Sequence, residues 1–454
     1  MQLNRQIIEE YNVDGPRYTS YPTANVWTTD FDAASYTEAL AKVKGTSNAL
    51  SLYIHIPFCE KRCLYCACNV TIRKANPKVA DEYIAYLGKE LDLIASTFGE
   101  RVPLKQVHLG GGTPTFLNDS QLDELWRLLN QYFDLSTVLE QSIEVDPRTV
   151  DAQRIRQLAV MGFNRISFGV QDFNETVQDE IGRHQSIESV ESLVRAARDS
   201  GIHSINLDLI YGLPKQDAEG FMQTIEAVAR IQPDRIALYS FAYVPWLHPH
   251  QKIMDAESFP DANTKVDLFL MARAHFLSHG YDAIAMDHFA LQDDELSIAY
   301  KEKRLKRNFM GYTTLSTPEY LGIGVSSIGY VSDCFSQNTK DLKDYYRRLD
   351  HGELPVDKGL ALSNDDSIVQ WVIQRLMCQF VLDKDAFEAQ FGVEFDEYFV
   401  SKLAELKVHE DSGLIKMDAS KIVVTELGQL FVRNVCMSLD QYFTPKENQF
   451  SKTV

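Results

Sequence analysis

The chain has 454 residues, 45% hydrophobic and 24% charged, enough to bury one large domain and a smaller one, with no low-complexity or repeated stretch. A formal charge of −19 argues against nucleic acid as a partner, since phosphate neutralisation needs a basic face, and it obliges any anionic small substrate to find local basic residues. The opening M-Q-L-N-R-Q-I-I-E-E-Y lacks a basic stretch followed by an apolar core, and no later run reaches bilayer length. No membrane span is expected, and the location is cytoplasmic with reduced thiols. In that compartment the glycosylation patterns at Asn69-Val-Thr and Asn174-Glu-Thr are false positives.

The first strand, S-L-Y-I-H-I, runs directly into a cysteine loop. Cys59, Cys63, Cys66 and Cys68 put four of the seven cysteines within one short loop. Gaps of three and two residues let the first three thiolates converge on one centre, whereas Cys66 and Cys68 are poorly placed for an unstrained disulfide. A zinc site built from all four would more naturally draw two ligands from elsewhere in the sequence, and buried structural thiols have no reason to gather in one loop. An iron-sulfur cluster is the reading the spacing favours.

Further strands follow at Q-V-H-L-G, S-I-E-V-D, R-I-S-F-G-V, S-I-N-L-D-L-I and R-I-A-L-Y-S-F-A. Between them lie amphipathic stretches such as Asp81 to Thr97, Ser120 to Tyr132, Ser186 to Asp199 and Glu219 to Ile231. Strand then helix, repeated about six times, predicts a parallel barrel or open sheet. The strands carry polar residues at period two: Tyr53 with His55, Ser142 with Glu144 and Asp146, Ser167 with Gln171, Asn206 with Asp208. Their other face is apolar, so one face packs on helices while the other lines an unusually polar interior, better explained by a cofactor cavity than by a packed core. The cysteine loop stands at the strand end where such barrels place their sites. The second strand closes on G-G-G-T-P-T, Gly110 to Thr115, where missing Cβ atoms let backbone approach a ligand. Taken alone, that run is only a turn.

Beyond residue 360 the pattern becomes helical, with runs starting at Asn364, Glu397 and Thr425. A short pair, Gly413 to Met417 and Lys421 to Thr425, has the form of a winged-helix wing. Acidic composition argues against DNA binding by it, and closing a large flat substrate into the barrel mouth is the more plausible use. Cys378 and Cys436 fall on apolar helix faces and read as core, whereas Cys334 is open.

The C-x3-C-x2-C spacing is similar to that of the radical S-adenosylmethionine enzymes. In those enzymes three thiolates hold a 4Fe-4S cluster and leave one iron open to the amine and carboxylate of S-adenosylmethionine, whose reductive cleavage yields a 5′-deoxyadenosyl radical. The runs D-G-P-R-Y-T-S-Y-P-T, S-L-Y-I-H-I-P-F-C, G-G-G-T-P-T-F-L, S-I-E-V-D-P-R, G-V-Q-D-F-N, L-D-L-I-Y-G-L-P-K-Q, M-D-H-F-A, R-N-F-M-G-Y-T-T and L-G-I-G-V-S-S-I narrow the likeness. Together they resemble the oxygen-independent coproporphyrinogen III oxidase family. The likeness covers almost the whole chain, and Cys68 with the G-P-R-Y-T-S-Y-P-T run are its discriminating parts.

The resemblance implies an α/β fold: a partial (β/α)6 TIM-like barrel and its extension over 50–360, an N-terminal arm over 1–49 and a smaller, mainly helical, winged-helix-like domain over 361–454. It implies conversion of two propionates of coproporphyrinogen III, on rings A and B, to vinyl groups with loss of carbon dioxide, in haem biosynthesis. Cys59, Cys63 and Cys66 would bind the cluster; Gly111 and Glu144 would contact S-adenosylmethionine, flanked by Tyr53 and Ile328. Tyr65, Gly112, Thr113, Gln171, Arg183, Asp208 and Ala242 match contacts to a second S-adenosylmethionine, although Arg183 and Asp208 could instead form an internal salt bridge. A low-potential donor such as flavodoxin or ferredoxin and an unidentified electron acceptor are implied, and a monomer is expected. Cys68 has no ligand role assigned and is a candidate for the second pocket or for electron handling. His55 is either a satisfied core residue or a catalytic group near the cluster. Arg17 and Arg307 are candidates for the substrate carboxylates, which guanidinium groups bind bidentately. Met310 departs from a polar glutamine expected in some relatives. The rival functions are a radical haem methyltransferase and a haem chaperone.

Overall fold

The computed structural model describes residues 5–43, 49–315, 317, 319–444 and 450–453. Residues 1–4 of the opening segment, and 44–48 at the end of the expected arm, lie outside that set.

Six parallel strands form the centre in sequence order: β1 (Leu50–Ile56), β2 (Val102–Gly111), β3 (Glu140–Val145), β4 (Arg165–Gln171), β5 (Ser204–Tyr211) and β6 (Arg235–Ser240). Helices Pro77–Phe98, Asp119–Tyr132, Ala152–Val160, Ile187–Asp199 and Ala218–Ile231 connect them. Each of these helices begins where the sequence supplies an N-cap: Asn76, Asn118, Asp151, Ser186 and Asp217 accept hydrogen bonds from their first turns. This is the expected partial (β/α)6 barrel.

Alternation along the strands decides which face meets the helices. Leu52, Ile54, Ile56, Ile143, Val145, Ile166, Phe168, Val170, Ile205, Leu207 and Leu209 all belong to one buried core shared with Leu87, Leu125 and Ile225 of the helices. The opposite face turns Glu144, Ser167, Asn206 and Asp208 into an interior cavity. A bulge at Gly169 to Gln171 ends the β4–β5 register, and Gln171 adopts a φ of 72°, re-aiming its side chain at the cavity.

The sheet does not stop at six strands. Antiparallel Tyr281–Ile284 and His288–Leu291 extend it beyond β6. On the other edge Tyr320–Ile323 pairs parallel with β1, followed by antiparallel Ile328–Val331, Cys334–Asn338 and Val356–Ala361. The sequence reading expected an extension of the barrel before residue 360 but identified none of these strands, because they are short and lack the strand-helix alternation that marked the rest. Cys334 lies on one of them, buried against the main core.

A second core joins the two ends of the chain. Ile8, Tyr11, Tyr18 and Tyr21 pack with Val369, Ile373, Leu376, Phe431 and Val435, and both Cys378 and Cys436 are buried there. Tyr18 donates to Asp440, and Arg433 donates to the carbonyl of Pro16. The wing appears as antiparallel Ile415–Met417 and Lys421–Val424, joined by a third strand, Val381–Asp383, that was not expected.

Candidate active site

The cysteine loop leaves β1 at Ile56 and is pinned at its base, where the Thr71 amide donates to Pro57 and the Arg73 amide to Cys59. Cys63 is buried, Cys59 and Cys66 are half-buried, and Cys68 is exposed; all four border a cavity of about 390 Å³ at the C-terminal ends of the strands. Two guanidinium groups point at Cys63: Arg148 lies 3.3 Å and Arg183 3.5 Å from its sulfur. Thr113 lies 3.3 Å from the Cys59 sulfur. Burial pushes the Cys59 thiol up to about 11, whereas hydrogen bonding from Cys68 brings Cys66 down to about 7 and leaves Cys68 the weaker acid. Among the described residues no three His, Cys, Asp or Glu side chains are gathered to hold a single metal ion. Three thiols spread along one loop, with cations at their back, suit a polynuclear anionic cluster.

The glycine run forms the adjoining wall. Gly112 and Thr113 donate their amides to Ile56 and Phe58, fastening the turn to the cysteine loop. Gly111 has a φ of 113°, and a Cβ there would stand 2.5 Å from the His55 ring, so only glycine fits. Glu144, open to the cavity, accepts the Gly111 amide at 3.0 Å and lies 3.5 Å from His108 Nε2. Burial would raise its carboxyl, but His108 and the Gly111 amide override that and hold it below the ordinary value.

Tyr53 stacks on His108 with centroids 5.8 Å apart and hydrogen-bonds His55 Nδ1 at 2.9 Å. The other His55 nitrogen donates to the Asn69 carbonyl at 3.0 Å. Both nitrogens are therefore committed and neither reaches a cysteine sulfur, so the geometry favours the satisfied core residue, with its ring backing Gly111. Ile328 lies beside the cavity rather than on its lining, with its backbone against Gly322.

Across the cavity Arg183 and Asp208 do not form the mutual salt bridge that was the alternative to their cofactor role. Arg183 instead pairs with Asp146 at 3.0 Å and donates to the Gly169 carbonyl. Asp146 is also gripped by Arg148 at 2.6 Å. Asp208 accepts from Ser167 at 3.0 Å and Asn206 at 2.8 Å; burial, with the Glu144 charge nearby, pushes its carboxyl up to about 7. Tyr65, Gly112, Thr113 and Gln171 line the same space, as does Met310. Ala242 lies just beyond β6, outside the lining, its carbonyl accepting from Gln251, which also holds the Tyr65 carbonyl.

Arg17 and Arg307 stand behind an aromatic wall formed by Tyr239, His288 and Tyr312. Arg17 is ion-paired with Asp287 and lies over Tyr239. Sequence reasoning missed Arg148, His108 and the Asp287–His288 pair. Arg148 and the last two sit in the quoted runs S-I-E-V-D-P-R and M-D-H-F-A, so the runs carried the signal, but no spacing rule says which sulfur or ring an arginine or histidine will reach.

Comparison with known proteins follows the same lines. The profile of the radical SAM superfamily matches residues 53–228, and that described as the HemN C-terminal domain matches 362–431. The oxygen-independent coproporphyrinogen III oxidase of Salmonella typhimurium is 43% identical over 99% of this chain and 98% of its own. That of Pseudomonas aeruginosa is 40% identical over 100% and 99%. The solved structure of coproporphyrinogen III oxidase (HemN) from Escherichia coli, described as a radical SAM enzyme, superposes with a TM-score of 0.91 at 39% identity, covering 98% of this chain and 100% of that one. The chain belongs to the oxygen-independent coproporphyrinogen III oxidase family of radical S-adenosylmethionine enzymes.

Proposed function

We propose that this oxidoreductase removes two propionate carboxyl groups of coproporphyrinogen III, on rings A and B, leaving vinyl groups and giving protoporphyrinogen IX in haem biosynthesis. Full-length similarity to enzymes of that name carries the reading. The methyltransferase and haem-chaperone alternatives are not favoured. A 4Fe-4S cluster with S-adenosylmethionine supplies, when bound, a 5′-deoxyadenosyl radical able to take hydrogen from a carbon that has no acidic proton.

The chain's own residues bind, orient and seclude. Cys59, Cys63 and Cys66 would hold the cluster, and Arg148 and Arg183 would offset its negative charge through Cys63. Glu144 would accept ribose hydroxyls, with Gly111 contacting the amino acid head and Tyr53 and Ile328 flanking it; Glu144 and Gly111 both line the cavity. Tyr65, Gly112, Thr113, Gln171, Arg183, Asp208 and Ala242 would surround a second S-adenosylmethionine. The polar half of the cavity around Asp208 supports this, since a carboxylate there can meet an ammonium. Cys68, exposed and hydrogen-bonded to Cys66, is free to act in that pocket or in electron handling. Arg17 and Arg307 would face the substrate's carboxylates.

A low-potential flavodoxin or ferredoxin would supply the electron, and a separate acceptor would take the electron released with each carbon dioxide. No helix among the described residues is long and apolar enough to cross a membrane; a cytoplasmic location and a monomer remain part of the proposal. The domain boundaries proposed at 49 and 360 do not coincide with the two cores: the arm's Tyr36 and Leu40 pack into the barrel core, and Val266, Ile284, Leu305 and Tyr312 join the terminal one. Anaerobic turnover with coproporphyrinogen III, read by product mass, tests the reaction. Two successive losses of a carboxyl group are expected, and a gain of methyl mass would replace the oxidase reading with the methyltransferase.

A further inference from the structure

Of the two candidate carboxylate ligands, Arg307 is the one with buried donors that have no partner. It lies on strand Lys306–Asn308, opposite Tyr312 in a hairpin, and its carbonyl accepts Gln374 from helix Asn364–Gln379 at 3.3 Å. Its guanidinium sits 5.0 Å above the Tyr312 ring. Two of its three guanidinium nitrogens, Nε and Nη1, are buried with no hydrogen-bond partner. Buried charged donors are rarely left this way, because an unmade charge-assisted bond costs far more than a made one returns.

The neighbouring guanidinium groups are spoken for. Arg17 is paired with Asp287, and Arg433 is saturated by the carbonyls of Gly15, Pro16 and Lys452. Arg307 also borders a second cavity, of about 150 Å³, between the N-terminal arm, the hairpin and the C-terminal helix. Its wall includes Lys306, Thr19, Ser20 and Thr313, and among the described residues no Asp or Glu lines it. In a chain with a net charge of −19 this is a local concentration of positive charge on the cavity wall, although Asp287, paired with Arg17 and outside the lining, lies within electrostatic reach of Arg307. Asn308 and Thr313 line both this cavity and the one at the cysteine loop, so the two are neighbours across the hairpin. The space is smaller than the roughly 300 Å³ of an ordinary small-molecule site, and so takes an arm of a ligand rather than its ring system.

We propose that this second cavity is a carboxylate site, in which Arg307, assisted by Lys306 and the hydroxyls of Thr19, Ser20 and Thr313, anchors a propionate that is not undergoing reaction. The inference rests on the tetrapyrrole reading above and adds to it a fixed point away from the reacting carbon. It makes Arg307 a positioning and specificity residue, not a catalytic one.

Coproporphyrin III, the stable oxidised form of the substrate, is titrated into the cluster-loaded full chain and followed by fluorescence quenching, alongside steady-state turnover of coproporphyrinogen III. Arg307→Gln is expected to raise both Kd and KM roughly ten- to a hundredfold, the worth of a charge-assisted contact, while kcat moves less than about threefold. Arg307→Lys recovers part of the loss. Lys306→Gln, on an exposed side chain at the cavity wall, gives a smaller rise in Kd and covers the case in which the buried substitution prevents folding. An unchanged Kd in a folded Arg307→Gln protein overturns the proposal, as does a fall in kcat with Kd intact, or an unchanged Kd in Lys306→Gln if Arg307→Gln does not fold. Coproporphyrin III bound through Arg307 by an unsubstituted chain that leaves coproporphyrinogen III unconverted would instead remove the proposed reaction and keep the site.

Discussion

Cys63 has the most crowded environment of the loop sulfurs, with Arg148 and Arg183 both within hydrogen-bond reach. Cys63→Ala is expected to abolish both iron retention and 5′-deoxyadenosine release, whereas Cys68→Ala keeps its iron, measured by metal analysis after anaerobic reconstitution. Gly111→Ala forces a side chain into a positive φ and against the His55 ring; a loss of about 2 kcal/mol or more in denaturant unfolding is expected, together with weakened S-adenosylmethionine binding. Asp208 gives a pH signature. Its carboxyl is held up to about 7, so it is largely protonated below that pH and charged above it. If it meets the ammonium of a second S-adenosylmethionine, occupancy of that second site rises between pH 6 and 8. Equilibrium dialysis should find near two molecules per chain at the higher pH, and Asp208→Asn should flatten the dependence. For folding the sign is opposite: a raised native carboxyl favours the native state below the unfolded value, and that contribution is lost as pH rises through about 7.

Among the elements, helix Pro77–Phe98 ties the first barrel strand to the added edge. Glu90 on that helix is buried and accepts from Tyr345 at 2.6 Å, Asn338 at 2.6 Å and the Gly324 amide at 2.8 Å. Glu90→Ala strands the buried Tyr345 hydroxyl and Gly324 amide, while Asn338 keeps the Gly324 carbonyl and Ser327, and should cost roughly 2 kcal/mol or more, read as a lower thermal midpoint. The six barrel strands and four of their helices were legible because apolar alternation and N-cap residues are local signals. Phe241 and Ala242 fell outside β6, since strand ends depend on pairing rather than propensity. The edge strands from Tyr320 to Ala361 were not legible: each is held by its neighbour, and a four- or five-residue run has too few alternations to declare itself. At the site the cysteines, Glu144 and the glycine run were readable from spacing and residue type. The partner of Arg183 was not, because Asp146 and Asp208 are both inward carboxylates and only the folded backbone decides between them.

For the molecule as a whole, the arm and the C-terminal region are one construction. Tyr11, Tyr18 and Tyr21 complete the core built on Val372, Leu376 and Val435, and Trp27 stacks on Phe335 of the added sheet edge at 5.0 Å. Removing residues 1–22 should therefore expose the C-terminal helices to hydrogen exchange and proteolysis while the barrel core stays protected. In the proposed account the barrel would supply the radical chemistry and the terminal unit would close its mouth over the substrate. The most direct test of that account is anaerobic turnover of coproporphyrinogen III deuterated at the propionate β-carbons. Deuterium appearing in 5′-deoxyadenosine, with two carbon dioxide molecules released per product, is the result predicted. Release of 5′-deoxyadenosine without deuterium, or decarboxylation without 5′-deoxyadenosine, would contradict it.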